Sequence, residues 1–211
     1  MPATLTRSPL TWQGSLFGTG TPRPDVSFRG VVRTRLDATS WVDVVPGWLT
    51  GADELFTTLL ERVAWQHKEM PMYGQLVHQP RLSAWWRLDD ERVRQPPLAM
   101  LAETAGRHYG VTFESIGANL YRDGRDSVAW HADRHARAPQ DPDVVIPVLS
   151  LGSPRRFLLR PRAGGRSIAL HPAGGDLLVM GGACQRDWHH SVPKMAHAQP
   201  RMSVTFRYAT P

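Results

Sequence analysis

Trp130-His131-Ala132-Asp133 sets an imidazole and a carboxylate two residues apart. On an extended strand, residues i and i+2 project to the same face, so both side chains can reach one point. A further histidine arrives late, in Trp188-His189-His190-Ser191-Val192-Pro193, far enough on for several strands to run out and return to the same mouth. Two imidazoles and one carboxylate on one side of a metal leave three adjacent positions open, a donor set suited to non-haem iron(II). A bidentate keto acid and O₂ would need those open positions. Spacing alone leaves other readings standing. H-x-D also describes a histidine bonded to an aspartate on a surface strand, and His135, His171, His189 and His197 are rival third ligands.

A second constellation stands near the C-terminus, in Arg201-Met202-Ser203-Val204-Thr205-Phe206-Arg207. Strand alternation puts Arg201, Ser203, Thr205 and Arg207 on one face and Met202, Val204 and Phe206 on the other. Two arginines on one face suit a dicarboxylate, gripped by charge-assisted and often bidentate hydrogen bonds. Asn119 and Tyr121 share a face for the same reason and offer neutral donors. Taken alone, the arginines read more readily as solvent-facing charges on an amphipathic edge strand.

These residues need a scaffold. Apolar residues between Ser27 and Leu36 fall at strand-like spacing. Thr50 has the chemistry of a helix N-cap, with Asp53 three residues on, and Leu55, Phe56, Leu59, Leu60 and Val63 follow as one helical stripe. A second helix is expected from Pro96–Pro97, through Leu98, Leu101, Ala102 and Ala105, to Gly110. The period then becomes strand-like. Strands are predicted at 112–122, 127–133, 144–151, 156–160, 167–171, 177–180, 187–192 and 202–208, separated by Gly, Asp and Pro turns. Helices followed by about eight short strands predict an α+β fold: an antiparallel double-stranded β-helix, or jelly roll, with N-terminal helices packed on one sheet. Residues 1–25, rich in Gly, Pro, Ser and Thr, are expected to form a loose arm before a single domain over 26–211.

With 41% hydrophobic and 21% charged residues, the composition is that of a globular domain. No run of about 18 apolar residues suggests a membrane span. The only cysteine, Cys184, excludes an intramolecular disulfide, so a reducing cytoplasm is the expected setting and a packed small residue its expected role. The net charge of +6 favours polyanions, though with Lys68 and Lys194 the only lysines the excess is nearly all arginine, which base composition alone can produce.

The order N-x-Y, H-x-D, H-S-V-P and R-x-S-x-T-F-R resembles the AlkB family of nucleic-acid dealkylating dioxygenases. The likeness runs from about Pro80 to Arg207 and takes in Pro80-Arg81-Leu82-Ser83-Ala84-Trp85, Ser150-Leu151-Gly152 and Gly175-Asp176-Leu177-Leu178. The resemblance implies Fe(II) held by His131, Asp133 and His190, with His190 preferred to His189 because it directly precedes the Ser-Val-Pro step. It implies 2-oxoglutarate bound by Asn119, Tyr121, Arg201, Ser203 and Arg207, with Arg201 at the distal carboxylate. O₂ is the further co-substrate, and the implied reaction is oxidative demethylation of N-alkylated bases with release of formaldehyde. The implied partner is alkylated DNA or RNA, single-stranded or with its base flipped out, acted on by a monomer. Candidate substrate contacts are Trp85, Trp86, Tyr73, Arg81, Arg134 and His135, and Arg122, Arg125, Arg155, Arg156 and Arg160 are further phosphate candidates. The chain departs from the family pattern in three places: Arg134-His135 follows H-x-D where an acidic residue is frequent, 87–94 reads RLDDERVR where relatives are tyrosine-rich, and Ser203 replaces a frequent Asn. The first departure keeps open an oxygenase acting on a protein or small molecule. A non-catalytic nucleic-acid-binding jelly roll is the reading from another class.

Overall fold

The structure, a computed structural model, describes residues 10, 12, 14, 18–72, 74–90, 97–133 and 144–208. In chain order its elements are β1 (Arg23–Pro24), β2 (Val32–Arg35), β3 (Ser40–Val45), β4 (Leu49–Thr50), α1 (Ala52–Arg62), β5 (Gln66–Met72), β6 (Gln75–Arg87) and α2 (Leu98–Tyr109). There follow β7 (Ser115–Tyr121), β8 (Val128–His131), β9 (Ile146–Gly152), β10 (Phe157–Pro161), β11 (Ile168–Leu170), β12 (Leu177–Gly182), α3 (Cys184–Asp187), β13 (Trp188–Val192) and β14 (Arg201–Arg207). A large antiparallel sheet runs β2-β3-β12-β9-β14-β7-β6-β5, and a small one runs β11-β10-β13-β8. This is the α+β double-stranded β-helix expected from helices followed by a run of short strands.

One of the two central strands of the large sheet, β14, explains how polar residues come to be buried. Its alternation is clean, yet Arg201 through Phe206 are all buried. Met202, Val204 and Phe206 join the apolar cluster that includes Leu55, Phe56 and Leu59 of α1 and Leu101 and Ala105 of α2. Helices therefore cover one face, and the polar face looks into the space between the sheets. Burying such an apolar side chain fully stabilises by roughly 1.5–3 kcal/mol, which fixes the register of β14 and with it the direction of both arginines.

The two helices lie where the apolar stripes put them, but α1 starts differently. Gly51 is its N-cap at φ 67°, a left-handed conformation that favours glycine, and an added Cβ would collide with the Gly20 carbonyl. Thr50 instead donates its hydroxyl to the Arg23 carbonyl. The close approach also corrects the expectation of a loose arm for its last residues: Asp53 N–H bonds Gly18 O at 2.9 Å, and β1 pairs with β4. The strand expected over 27–36 shrinks to β2, because Phe28 takes a positive φ and Val31 N–H closes a turn on its carbonyl.

Sequence reasoning missed β3 and the long β5–β6 hairpin. The hairpin mixes His67, Lys68, Glu69, His78 and two prolines into its run, which hides any alternation. Pro80 is tolerated because the β5–β6 pairing shifts between His67 and Glu69 and the β6–β7 pairing begins at Leu82. Cys184 is buried and its thiol is pushed up to about 12 by that burial, as a packed residue should be. Among the described residues no helix is long and apolar enough to cross a membrane.

Candidate metal centre and dicarboxylate cleft

β8 and β13 bring the three donors together. His131 and His190 are direct cross-strand partners, their ring centres 4.2 Å apart, and Asp133 lies just beyond the end of β8. His131 Nε2 is 3.9 Å from Asp133 Oδ1 and His190 Nε2 is 3.8 Å from Oδ2. One donor atom from each of the three lies within 4.8 Å of the others. Bonds of about 2 Å to one ion fit that spacing.

The surroundings prepare these groups for a cation. The Ala129 carbonyl, 2.9 Å from His131 Nδ1, can only accept, so Nδ1 donates to it and Nε2 is the nitrogen that faces Asp133. His190 is 6% exposed and stacks on Phe157; burial pulls its pKa down to about 4 despite the nearby Asp133, so the ring is neutral near pH 7. Burial pushes the Asp133 carboxyl up, but Arg207 and the two imidazoles outweigh it and hold the group below its ordinary range. Gln185 fixes the Asp133 backbone through a 2.8 Å bond from Asp133 N–H to its Oε1. His189, one residue earlier on β13, points away and accepts from Arg162 Nε at 2.9 Å.

The triad opens into a cavity of about 540 Å³ that both sheets line. Arg201 sits in its wall at 1% exposure, with Nη2 bonded to Ser150 Oγ at 3.0 Å and the Tyr121 side chain beside it. Its Nε and Nη1 have no partner among the described residues, and burial lowers its pKa from the ordinary arginine value. A buried cation with two idle donors facing a cavity is costly unless an anion completes it. Arg207 marks the other end, with Nη2 on Asp133 and an idle Nε. Between them, Asn119 and Ser203 are cross-strand partners, and Tyr121 is the partner of Arg201, its ring centre 5.4 Å from the guanidinium. Asn119 Oδ1 accepts from Arg81 Nε and Ser83 Oγ, both at 3.0 Å, so the amide NH₂ is the end those bonds leave over. The pattern fits a slender dianion laid along β14, one carboxylate at Arg201 and the other at the metal end.

Of the expected substrate contacts, Arg81 and Trp85 line the cavity, and Trp85 is 47% exposed at its rim. Trp86 is corrected: as the next residue on β6 it projects to the opposite face and packs against the core. Tyr73, Arg134 and His135 lie outside the described residues. Among the phosphate candidates, Arg155 is buried, while Arg122 and Arg125 pair with Asp126 and Asp123. Lys68 and Gln79 also line the cavity and were missed with the β5–β6 hairpin, whereas Ser83 was legible from its alternation with Arg81 and Trp85.

The family described as the 2OG-Fe(II) oxygenase superfamily matches residues 42–207. The alpha-ketoglutarate-dependent dioxygenase alkB homolog 3 of Homo sapiens is 33% identical over 215 residues, covering 90% of this chain and 74% of the relative. The DNA oxidative demethylase ALKBH2 of Arabidopsis thaliana is 34% identical over 122 residues, 46% of this chain and 38% of that one. The solved structure of OsALKBH1 superposes with a TM-score of 0.61 at 13% identity, covering 84% of this chain and 100% of that one, a likeness of fold alone.

Proposed function

The chain belongs to the 2OG-Fe(II) oxygenase superfamily, as an AlkB-family dioxygenase, and from that premise we propose that it oxidatively demethylates N-alkylated bases in nucleic acid. The observation that carries the proposal is the shared cavity. The His131–Asp133–His190 set, the half-idle buried Arg201 and the exposed Trp85 all face one space. Relatives named for alkB and for DNA demethylation support the nucleic-acid substrate.

His131, Asp133 and His190 would hold Fe(II), and Arg201, Arg207, Asn119, Tyr121 and Ser203 would hold 2-oxoglutarate. When bound with O₂, these supply the oxidant that hydroxylates an N-methyl group, and the N-hydroxymethyl product breaks down to formaldehyde and the restored base. The protein's share is orientation and dryness. Arg201, at the buried end of β14, would hold the distal carboxylate, and Arg207 and the triad stand at the other end of the same strand's polar face. Phe157 and the Val128 and Val192 side chains make that end apolar. Trp85 offers a stacking face for a base taken out of its helix, and Lys68 and Arg81 supply charge for the attached phosphate.

Purified protein with Fe(II), ascorbate and 2-oxoglutarate is expected to release formaldehyde from 1-methyladenine or 3-methylcytosine in single-stranded oligonucleotides, and His131→Ala is expected to abolish it. Arg134-His135, where relatives often carry an acidic base contact, supports a second reading, the same chemistry on a protein or small molecule. Succinate formation stimulated by peptides and not by methylated DNA or RNA would favour that reading.

A further inference from the structure

We propose that Arg155 is a positioning residue of the metal centre, a clamp that sets the register placing His131 opposite His190. The ladder between their strands does not fix that register by itself. His190 pairs with His131 and Val192 with Val128, so Ala129 and Trp130 of β8 stand against Ser191 alone. Two residues facing one is a β-bulge, and a bulged pair of short strands is prone to slip; a slip of one residue would turn an imidazole away from the cavity. The bulge is also functional, because its Ala129 carbonyl orients the His131 ring.

Arg155 ties both strands together beyond the bulge. Its side chain, 1% exposed, donates Nη1 to the Asp123 carbonyl at 2.9 Å and Nη2 to the carbonyls of Asp126 at 2.8 Å and Pro193 at 3.0 Å. Asp123 and Asp126 belong to the turn that leads into β8, and Pro193 directly follows β13. One guanidinium therefore grips the start of the His131 strand and the end of the His190 strand. Its planar fan of N–H groups can serve three carbonyls in different directions, which a lysine ammonium on a flexible stem does less well. A second contact reinforces the join: Met195 N–H bonds the Gly124 carbonyl at 2.8 Å, and an added Cβ at Gly124 would collide with the Met195 carbonyl. Arg155 also lies 5.7 Å from the ring centre of Tyr121, the cavity residue that Arg201 approaches at 5.4 Å.

The inference rests on His131, Asp133 and His190 being the metal ligands, and Co(II) titration tests the two separately. The dissociation constant and the visible ligand-field spectrum of Co(II) are measured for the full chain and for Arg155→Met, Arg155→Gln, Arg155→Lys and His131→Ala, below each melting temperature. The expected result is a roughly 10–100-fold weaker Co(II) constant and an altered spectrum in Arg155→Met, the usual effect of losing support behind metal ligands. Arg155→Lys should recover part of the affinity, and the constant for 2-oxoglutarate should change less than that for Co(II). If Arg155→Met fails to fold, the Gln and Lys variants carry the test. Folded variants that bind Co(II) with the wild-type constant and spectrum, whatever their melting temperature, would overturn the clamp. A wild-type protein that binds no Co(II), or a His131→Ala variant that binds it equally well, would overturn the ligand assignment instead.

Discussion

Arg207 Nη2 lies 2.7 Å from Asp133 Oδ1, so the arginine at the metal end of the cleft is bonded to the carboxylate that completes the triad. The contact joins the two constellations of the site. Arg207 is the last residue of β14 and Asp133 lies two residues past His131, yet one ion pair links the strand that would hold the dicarboxylate to the segment that would hold the metal. Because Asp133 is buried with two imidazoles and a guanidinium around it, its carboxyl stays ionised at pH values where an isolated one would begin to protonate.

Arg207→Met should therefore move the acid limit of metal binding. Without the guanidinium, burial raises the Asp133 carboxyl unopposed by its strongest neighbour, and metal binding should fail at higher pH than in wild type. Titrating Co(II) affinity against pH in both proteins checks this; superimposable profiles would show that the ion pair does not tune the carboxylate.

Arg201→Met separates binding from folding. The buried guanidinium has two donors without partners, so replacing it with an apolar side chain should leave the stability of the ligand-free protein unchanged or slightly raised. Affinity for 2-oxoglutarate should fall by about 2 kcal/mol or more, some 30-fold or beyond. Thermal shift with and without 2-oxoglutarate reads both effects. A destabilised variant that still binds 2-oxoglutarate would assign Arg201 a purely structural role.

How much of this was legible in the sequence depended on alternation. β14 reads cleanly because apolar and polar residues strictly alternate, whereas alternation on β13 says only that His189 and His190 face opposite ways, and the choice of His190 comes from its place directly before Ser-Val-Pro. The β5–β6 hairpin stayed hidden because charged residues and prolines interrupt its pattern, and Lys68 and Gln79 were lost with it. Trp85 and Trp86 were read as a pair, although adjacent strand residues cannot share a face. Arg155 looked like any other surface arginine. Its burial depends on a turn and a loop that meet only in three dimensions, and no local pattern announces such a meeting.

That tryptophan pair gives a further test. Trp85→Ala should weaken binding of single-stranded nucleic acid by about 1–3 kcal/mol, the value of one stacked base, with little change in melting temperature. Trp86→Ala should destabilise the fold by about 2 kcal/mol, since a half-buried ring loses part of the 3–5 kcal/mol typical of a core tryptophan. Fluorescence anisotropy with a labelled oligonucleotide and thermal denaturation distinguish the two; equal effects on binding would contradict the assignment of faces.

His190 makes the metal-free protein sensitive to acid. Its pKa falls from 6.5 to about 4 on folding. Between those values the unfolded chain takes up a proton that the folded chain refuses, so stability rises with pH across the window and is lost on acidification. The full effect is up to about 3 kcal/mol. Asp133, whose carboxyl is lowered on folding, adds a loss at still lower pH as it protonates. Chemical denaturation across the window should show the slope, and His190→Leu should flatten it; an unchanged slope in that variant would place the titration elsewhere.

The most direct measurement is an anaerobic Fe(II) titration followed in the visible spectrum, with and without 2-oxoglutarate. Saturable iron binding is expected, with a charge-transfer band that appears only when the keto acid is added. Both signals should vanish in His131→Ala and Asp133→Ala, while Arg201→Met keeps the iron and loses the band at moderate 2-oxoglutarate. A wild-type protein that gives no band, or a His131→Ala variant that gives the full one, would contradict a shared iron and keto-acid site.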